Sequence, residues 1–228
     1  MSTPSIIVFD VNETLLDIES LAPLFERVFG DGKILRDWFN QLVLYSNTIT
    51  LAGYYQPFFT LGQGVLTMLG NVYGVPVKPA DLDELRARML SMPAHPDVPE
   101  GLRLLREAGF RLMTLTNSPP DKDGSALERG GLAHFFERQF SVDSVHRFKP
   151  AQEVYRLVTE VLDRPPSDFC LIAAHTWDTL GAQSVGFAAG LVTRAGNAPL
   201  PVEGLPQPQA IASDLPGVAR QLVALWRS

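Results

Sequence analysis

The chain has 228 residues, 46% of them hydrophobic, enough to bury a full core in one large domain or in a core plus an insert. Lysine and arginine total 19 against 25 aspartates and glutamates, and the net charge of −6 argues against nucleic acid or an anionic membrane surface as a partner. A single cysteine, Cys170, excludes an intrachain disulfide framework and, inside the apolar run Phe169-Cys170-Leu171-Ile172, reads as an inert buried thiol. No stretch approaches about 18 uninterrupted apolar residues, and no basic segment leads into an apolar run at the start, so a soluble, cytoplasmic protein is expected.

Ile6-Ile7-Val8-Phe9 reads as a strand buried on both faces, ending abruptly in Asp10 and a polar stretch, Val11-Asn12-Glu13-Thr14. Ile18, Leu21, Leu24, Phe25 and Val28 then recur at helical spacing up to Gly30. Further helices are expected over 34–51, with Leu35, Trp38, Phe39, Leu42 and Val43 on the apolar side, over 58–73, and over 83–90 with Asp81 as N-cap. No strand is expected before Pro93. A wholly helical block at this place reads as an inserted cap, giving a core of residues 1–16 and 92–228 and a cap of residues 17–91.

Strand and helix alternate from there on. Pro99 opens a helix closed by Gly109, and Phe110–Leu115 is a strand ending in Thr116-Asn117-Ser118. Ala126, Leu127 and Leu132 mark a helix, and Phe140-Ser141-Val142 a short edge strand. Lys149-Pro150 precedes a helix over 151–162, and a buried strand over 168–173 ends in Ala174-His175-Thr176-Trp177-Asp178. A further strand fits 186–193, a loop 195–209, and Ser213-Asp214-Leu215-Pro216 starts a last amphipathic helix. The expected class is α/β, a Rossmann-like, doubly wound and mostly parallel sheet.

In such a sheet ligands bind beyond the carboxyl ends of the strands. Asp10, Thr116 and Asp178 then converge on one edge, and Lys149 adds a cation. Blander readings stay open at this point. Asp10 would cap a helix starting near Thr14, Thr14 and Thr116 would be turn hydroxyls, and Lys149 would be solvated. Tyr155 would be a core aromatic and His175 a structural residue. His95, His134 and His146 have no metal-ligand spacing and read as surface or loop residues.

Four ordered stretches resemble the haloacid dehalogenase superfamily: Asp10 to Thr14, Thr116, Lys149-Pro150 and the acidic end at Asp178. The type II 2-haloacid dehalogenases are the nearer branch. That resemblance rests on Phe9-Asp10-x-x-x-Thr14-Leu15-x-Asp17, Thr116-Asn117, Ser141-Val142-Asp143-x-Val145, Lys149-Pro150-x-x-x-Val154-Tyr155 and Trp177-Asp178-x-x-Gly181-Ala182. It implies covalent hydrolysis of a short 2-haloalkanoic acid by Asp10, with no metal or cofactor, while an apolar cap surface points to a homodimer. It also implies that Thr14 and Thr116 hold the Asp10 carboxylate and that Lys149 keeps it ionised. Asp178 would orient or activate water, and Tyr155 would support that network.

Asn12 stands where a superfamily phosphatase carries the aspartate that protonates its leaving group, and an amide cannot donate that proton. Halide needs none. Asn12, Asn117, His175 and Trp177 are therefore expected around the substrate or halide. One departure concerns recognition: the branch places an arginine after an aromatic residue on the first long cap helix, and here Phe39 follows Trp38. Arg36, one turn earlier, is the candidate substitute for the substrate carboxylate. The aromatic density of Trp38, Phe39, Tyr45, Tyr54, Tyr55, Phe58 and Phe59 fits an apolar pocket over Asp10 and fits plain cap packing equally well.

Overall fold

The computed structural model describes residues 3–120, 122 and 124–227. Strand β1 (Ile6–Phe9) is wholly buried and central. With β2 (Arg111–Thr116), β3 (Arg138–Ser141), β4 (Phe169–Ala173), β5 (Ala188–Val192) and β6 (Ala210–Ala212) it builds a sheet ordered β3-β2-β1-β4-β5-β6. Every pairing is parallel, so the carboxyl ends of the strands form one edge. Phe9 pairs with Thr114 on one side and Ile172 on the other, which brings Asp10, Thr116 and His175 to that edge together. The expected Rossmann-like α/β class is the observed one.

Between β1 and β2 lie a 3-10 turn (Ile18–Leu21) and helices α1 (Ala22–Phe29), α2 (Ile34–Leu51), α3 (Phe58–Tyr73) and α4 (Pro79–Leu90), with no named strand among the described residues there. Their buried sides follow the apolar spacing: Leu35, Trp38, Phe39 and Leu42 on α2 and Phe58, Val65, Leu66 and Leu69 on α3 are buried, and Trp38 Nε1 donates to the Gly62 carbonyl of α3 (2.9 Å). Leu44, Leu51, Tyr54 and Val72 remain exposed on this insert. The other helices are α5 (Val98–Glu107), α6 (Ala126–Arg129), α7 (Gln152–Leu162), α8 (Thr176–Ser184) and α9 (Leu215–Trp226).

The insert is joined to the sheet at one place and fastened at another. Its two crossing segments pair with each other: Leu16 bridges Ala94, Asp17 N–H donates to the Pro93 carbonyl (2.8 Å), and His95 N–H donates to the Leu15 carbonyl (3.0 Å). Away from this paired stem, three hydrogen bonds tie the α2–α3 end to the core. Tyr55 Oη donates to Asp143 Oδ1 (2.7 Å), Arg147 Nη1 donates to the Thr50 carbonyl (2.6 Å), and Phe148 N–H donates to Thr50 Oγ1 (3.0 Å).

Several expectations need correction. No helix starts at Thr14: residues 13–15 form a turn with Leu15 N–H and Leu16 N–H on the Val11 carbonyl, so Asp10 caps nothing. Asp81 is not an N-cap but sits at the third position of α4, where its Oδ2 accepts from Lys78 N–H (2.8 Å). The helix over 126–132 divides into α6 and a 3-10 turn at Ala133–Phe135. Helix α8 has no sequence signal because its buried face is small or polar (Asp178, Thr179, Gly181, Ala182) rather than an apolar stripe. Strand β6 is too short for alternation to show.

Candidate active site

Asp10 follows β1 directly, and each of its carboxylate oxygens has a donor. Oδ1 accepts from Lys149 Nζ at 2.7 Å and Oδ2 from Thr14 Oγ1 at 2.7 Å. The turn 13–15 presents Thr14 in that way, and Ala174 N–H (2.8 Å) fixes the same hydroxyl oxygen from the end of β4. Burial alone would raise the carboxyl pKa. The Lys149 charge, then His175 and the Lys149 hydrogen bond outweigh it and hold Asp10 well below the usual carboxylate range. Asp10 is an ionised carboxylate out of bulk water.

Lys149 is buried and uses all three ammonium protons, on Asp10, on Asp178 Oδ2 (2.6 Å) and on the Leu115 carbonyl (3.0 Å). Burial disfavours its charge, but Asp10 and Asp178 together raise its pKa. Asn117 anchors the lysine backbone, its Oδ1 accepting from Lys149 N–H (3.1 Å). Tyr155, on α7, donates to Asp178 Oδ1 (2.6 Å). Gly181 makes room for it, since a Cβ there would lie 2.5 Å from the tyrosine hydroxyl. Burial and the neighbouring Asp10 charge raise the Asp178 pKa against the opposing pull of Lys149 and Tyr155.

His175 lies on the other side of Asp10. Its Nε2 is 2.7 Å from Glu13 Oε2 and its Nδ1 3.3 Å from Asp10 Oδ2. Burial works against the imidazolium, but Asp10 and Glu13 push the His175 pKa up to about 9. Trp177 stacks on the ring (centroids 4.9 Å apart), and Phe39 leans on it at 5.5 Å. Asp10, Asn12, Phe39, Val43, Phe58, Asn117, His175 and Trp177 line a small cavity of about 10 Å³, room for about one water.

The structure therefore brings Asp10, Thr14, Lys149, Tyr155 and Asp178 together, and places Asn12, Phe39, Asn117, His175 and Trp177 around one small cavity. Three expectations fail. The Thr116 hydroxyl does not hold Asp10: Thr116 Oγ1 accepts from Ser118 N–H (3.1 Å) and lines a separate cavity of about 170 Å³ with Ser118, Phe59 and Ser141. Asn12, which donates to Ser118 Oγ (3.2 Å), divides the two spaces. Arg36 is not turned to the pocket over Asp10, because it pairs with Glu13 and Glu19 and lines an outer polar cavity. Asp178 does not line the cavity beside Asp10, being fully buried behind Lys149 and Tyr155.

Sequence reasoning missed the braces of the 10–15 turn. Glu13 is almost fully buried with φ 66°, a left-handed backbone that is uncommon for a side-chain-bearing residue and costs about 1–2 kcal/mol. His95 Nε2 lies 3.0 Å from the Glu13 carbonyl. Arg194 donates to the Thr14 carbonyl through Nη2 (3.0 Å) and Nε (3.3 Å), and its Nη1 pairs with Asp97 (2.8 Å). Polar residues after Asp10 were the only signal, and they do not reveal a positive φ. Arg194→Ala strips these donors from a part-buried carbonyl and carboxylate. We expect it to lower stability by about 1–3 kcal/mol, read as a shift of the urea midpoint without a change of slope.

A charged carboxylate on a strand end, held by a hydroxyl and a buried ammonium, fits the site of an α/β hydrolase. The family model of haloacid dehalogenase-like hydrolases matches residues 4–186, and the chain belongs to that family. It is 29% identical over 212 residues to (S)-2-haloacid dehalogenase 1 of Pseudomonas sp. strain CBS-3, covering 90% of this chain and 91% of that protein. It is 28% identical over 194 residues to (S)-2-haloacid dehalogenase 4A of Burkholderia cepacia, covering 84% of each. The crystal structure of the L-2-haloacid dehalogenase RSc1362 superposes with a TM-score of 0.88 at 26% identity over the whole of both chains.

Proposed function

We propose that the protein hydrolyses the carbon–halogen bond of a short 2-haloalkanoic acid, giving the 2-hydroxy acid without a metal. One observation carries this reading: Asp10 is ionised at a strand end, held by Thr14 and Lys149, and faces a small space walled by Phe39, Phe58 and Trp177. An Asp10 oxygen attacks the carbon bearing the halide, forming an aspartyl ester and expelling the halide with the bonding pair. Water then adds to the Asp10 carbonyl carbon, and the ester carbon–oxygen bond breaks to release the hydroxy acid. Lys149 and Thr14 stay in contact with the carboxyl group throughout and offset the negative charge that develops on it. Asn12, two residues after Asp10, has no proton to give a leaving group, which fits halide better than alkoxide.

A second reading concerns recognition. Phe39 and the occupied Arg36 leave the pocket over Asp10 without a guanidinium among the described residues, which favours an organohalide whose recognition depends less on a carboxylate charge. The test of both is halide release from chloroacetate, each enantiomer of 2-chloropropanoate, fluoroacetate and 2-chloropropanamide, with and without EDTA. Halide release unaffected by EDTA is expected. Phosphate release from an aryl phosphate with Mg²⁺, and none of halide, would overturn the proposal. A lower KM for the amide than for the acid supports the second reading.

A further inference from the structure

Beyond the nucleophile and its lysine, the site holds a histidine that the reaction just described does not use. Its Nε2 is occupied by Glu13 at 2.7 Å, whereas its Nδ1 is buried without a hydrogen-bond partner and lies 3.3 Å from Asp10 Oδ2, on the wall of the one-water cavity. Asp178, the other carboxylate near Asp10, is closed off: both its oxygens are engaged, and it does not line that cavity. A water beside the Asp10 carbonyl carbon would meet His175 and not Asp178.

We propose that Asp10, His175 and Glu13 form a nucleophile–base–orienter triad, in which His175 Nδ1 takes a proton from the water that hydrolyses the Asp10 ester. The assignment rests on the hydrolytic reading above. It reproduces the logic of a base within reach of the reacting group and held in one tautomer by a carboxylate. Glu13 is a positioning residue: its left-handed backbone and the Arg36 pair aim Oε2 at Nε2. Such a conformation is kept where surroundings enforce it, and at functional sites it is part of the mechanism.

The proton inventory closes. The charged groups facing His175 are Asp10 and Glu13, with Lys149 beyond the first and Arg36 beyond the second, while Phe39 and Trp177 cover the ring. In the resting enzyme two carboxylates keep His175 protonated. Alkylation turns Asp10 into a neutral ester, removes one of the two, and lets the imidazolium lose its proton to solvent. That is the one proton the overall reaction releases. Neutral Nδ1 then accepts a proton from water as the water oxygen bonds to the Asp10 carbonyl carbon. The tetrahedral adduct collapses with its hydroxyl proton passing to the departing alkoxide, which restores the Asp10 carboxylate beside a protonated His175. Charge and atoms balance over the cycle.

The test is rapid-quench kinetics of wild type, His175→Asn and Glu13→Gln with racemic 2-chloropropanoate, with intact-mass detection of the Asp10 adduct. Wild type should turn over without a detectable adduct. His175→Asn should release about one chloride per site, then turn over on the order of 10²–10⁴-fold more slowly with the adduct accumulated. Glu13→Gln should shift the rising limb of the kcat–pH profile to lower pH, because it removes a carboxylate that supports the imidazolium; a merely structural role would leave that limb in place. The assignment is overturned if His175→Asn turns over at the wild-type rate, or if it slows without burst or adduct while its melting curve remains cooperative. If the variant does not fold, His175→Gln takes its place under the same criteria. Wild type that releases no halide overturns the hydrolytic reading itself and the triad with it. Normal wild-type turnover with an unaffected variant removes the triad alone.

Discussion

Asp10→Asn is expected to abolish halide release, with kcat lower by on the order of 10⁴-fold or more, the scale at which loss of a covalent nucleophile is felt. The amide keeps the size of the side chain and leaves Lys149 paired with Asp178 at 2.6 Å, so the fold retains its buried cation pair. What disappears is the anionic oxygen that Thr14 and Lys149 position. Chloride release from 2-chloropropanoate, followed with a coupled or electrode assay, checks the result. Residual activity above about 1% would mean that another group makes the bond to carbon, because such variants normally lose far more.

Lys149→Met has the second large expected effect, on stability as well as rate. Lys149 is the direct cation for two buried carboxylates, and removing one partner of a buried ion pair costs about 3–5 kcal/mol. The pH dependence distinguishes this cause from a simple packing defect. In wild type the Asp10 pKa is depressed, so its contribution is fully present above the unfolded value of 3.8 and is lost as pH falls through the folded value. Without the ammonium, burial and the Asp10 charge raise the Asp178 folded value further above its unfolded one, while Asp10 keeps only His175 as a neighbouring cation. The folded variant then binds more protons than its unfolded chain, and its stability rises as pH falls toward that range. Urea midpoints at pH 7.5 and pH 5 should therefore show the gap between wild type and variant narrowing at the lower pH. An equal gap at both would assign the loss to packing.

The sheet, the helical block between β1 and β2, and the groups around Lys149 were legible in the sequence because each rests on local pattern. Buried strands end in carboxylates at Asp10 and near Asp178, and Lys149-Pro150 precedes the helix that carries Tyr155. Thr116 was misread because its position at a strand end is visible while the direction of its hydroxyl is not. Thr114 and Thr116 share a face of β2, and that face opens on the larger cavity rather than on Asp10. Arg36 was misread for a related reason: a helix turn places it near the site, yet Glu13 and Glu19, which hold it, come from segments whose approach is tertiary. Glu13 itself carried no signal, since nothing in Val11-Asn12-Glu13-Thr14 announces a left-handed residue. Its partner His175 stood out only as a polar residue at the end of β4.

The paired stem at Leu16 and Ala94 and the fastening at Tyr55, Thr50 and Arg147 have a mechanical meaning. The space over Asp10 is small, with a volume of about 10 Å³. Phe39, Val43 and Phe58, which line it, come from helices held to the core both at the stem and at the far end, so that space is bounded by a doubly tethered insert.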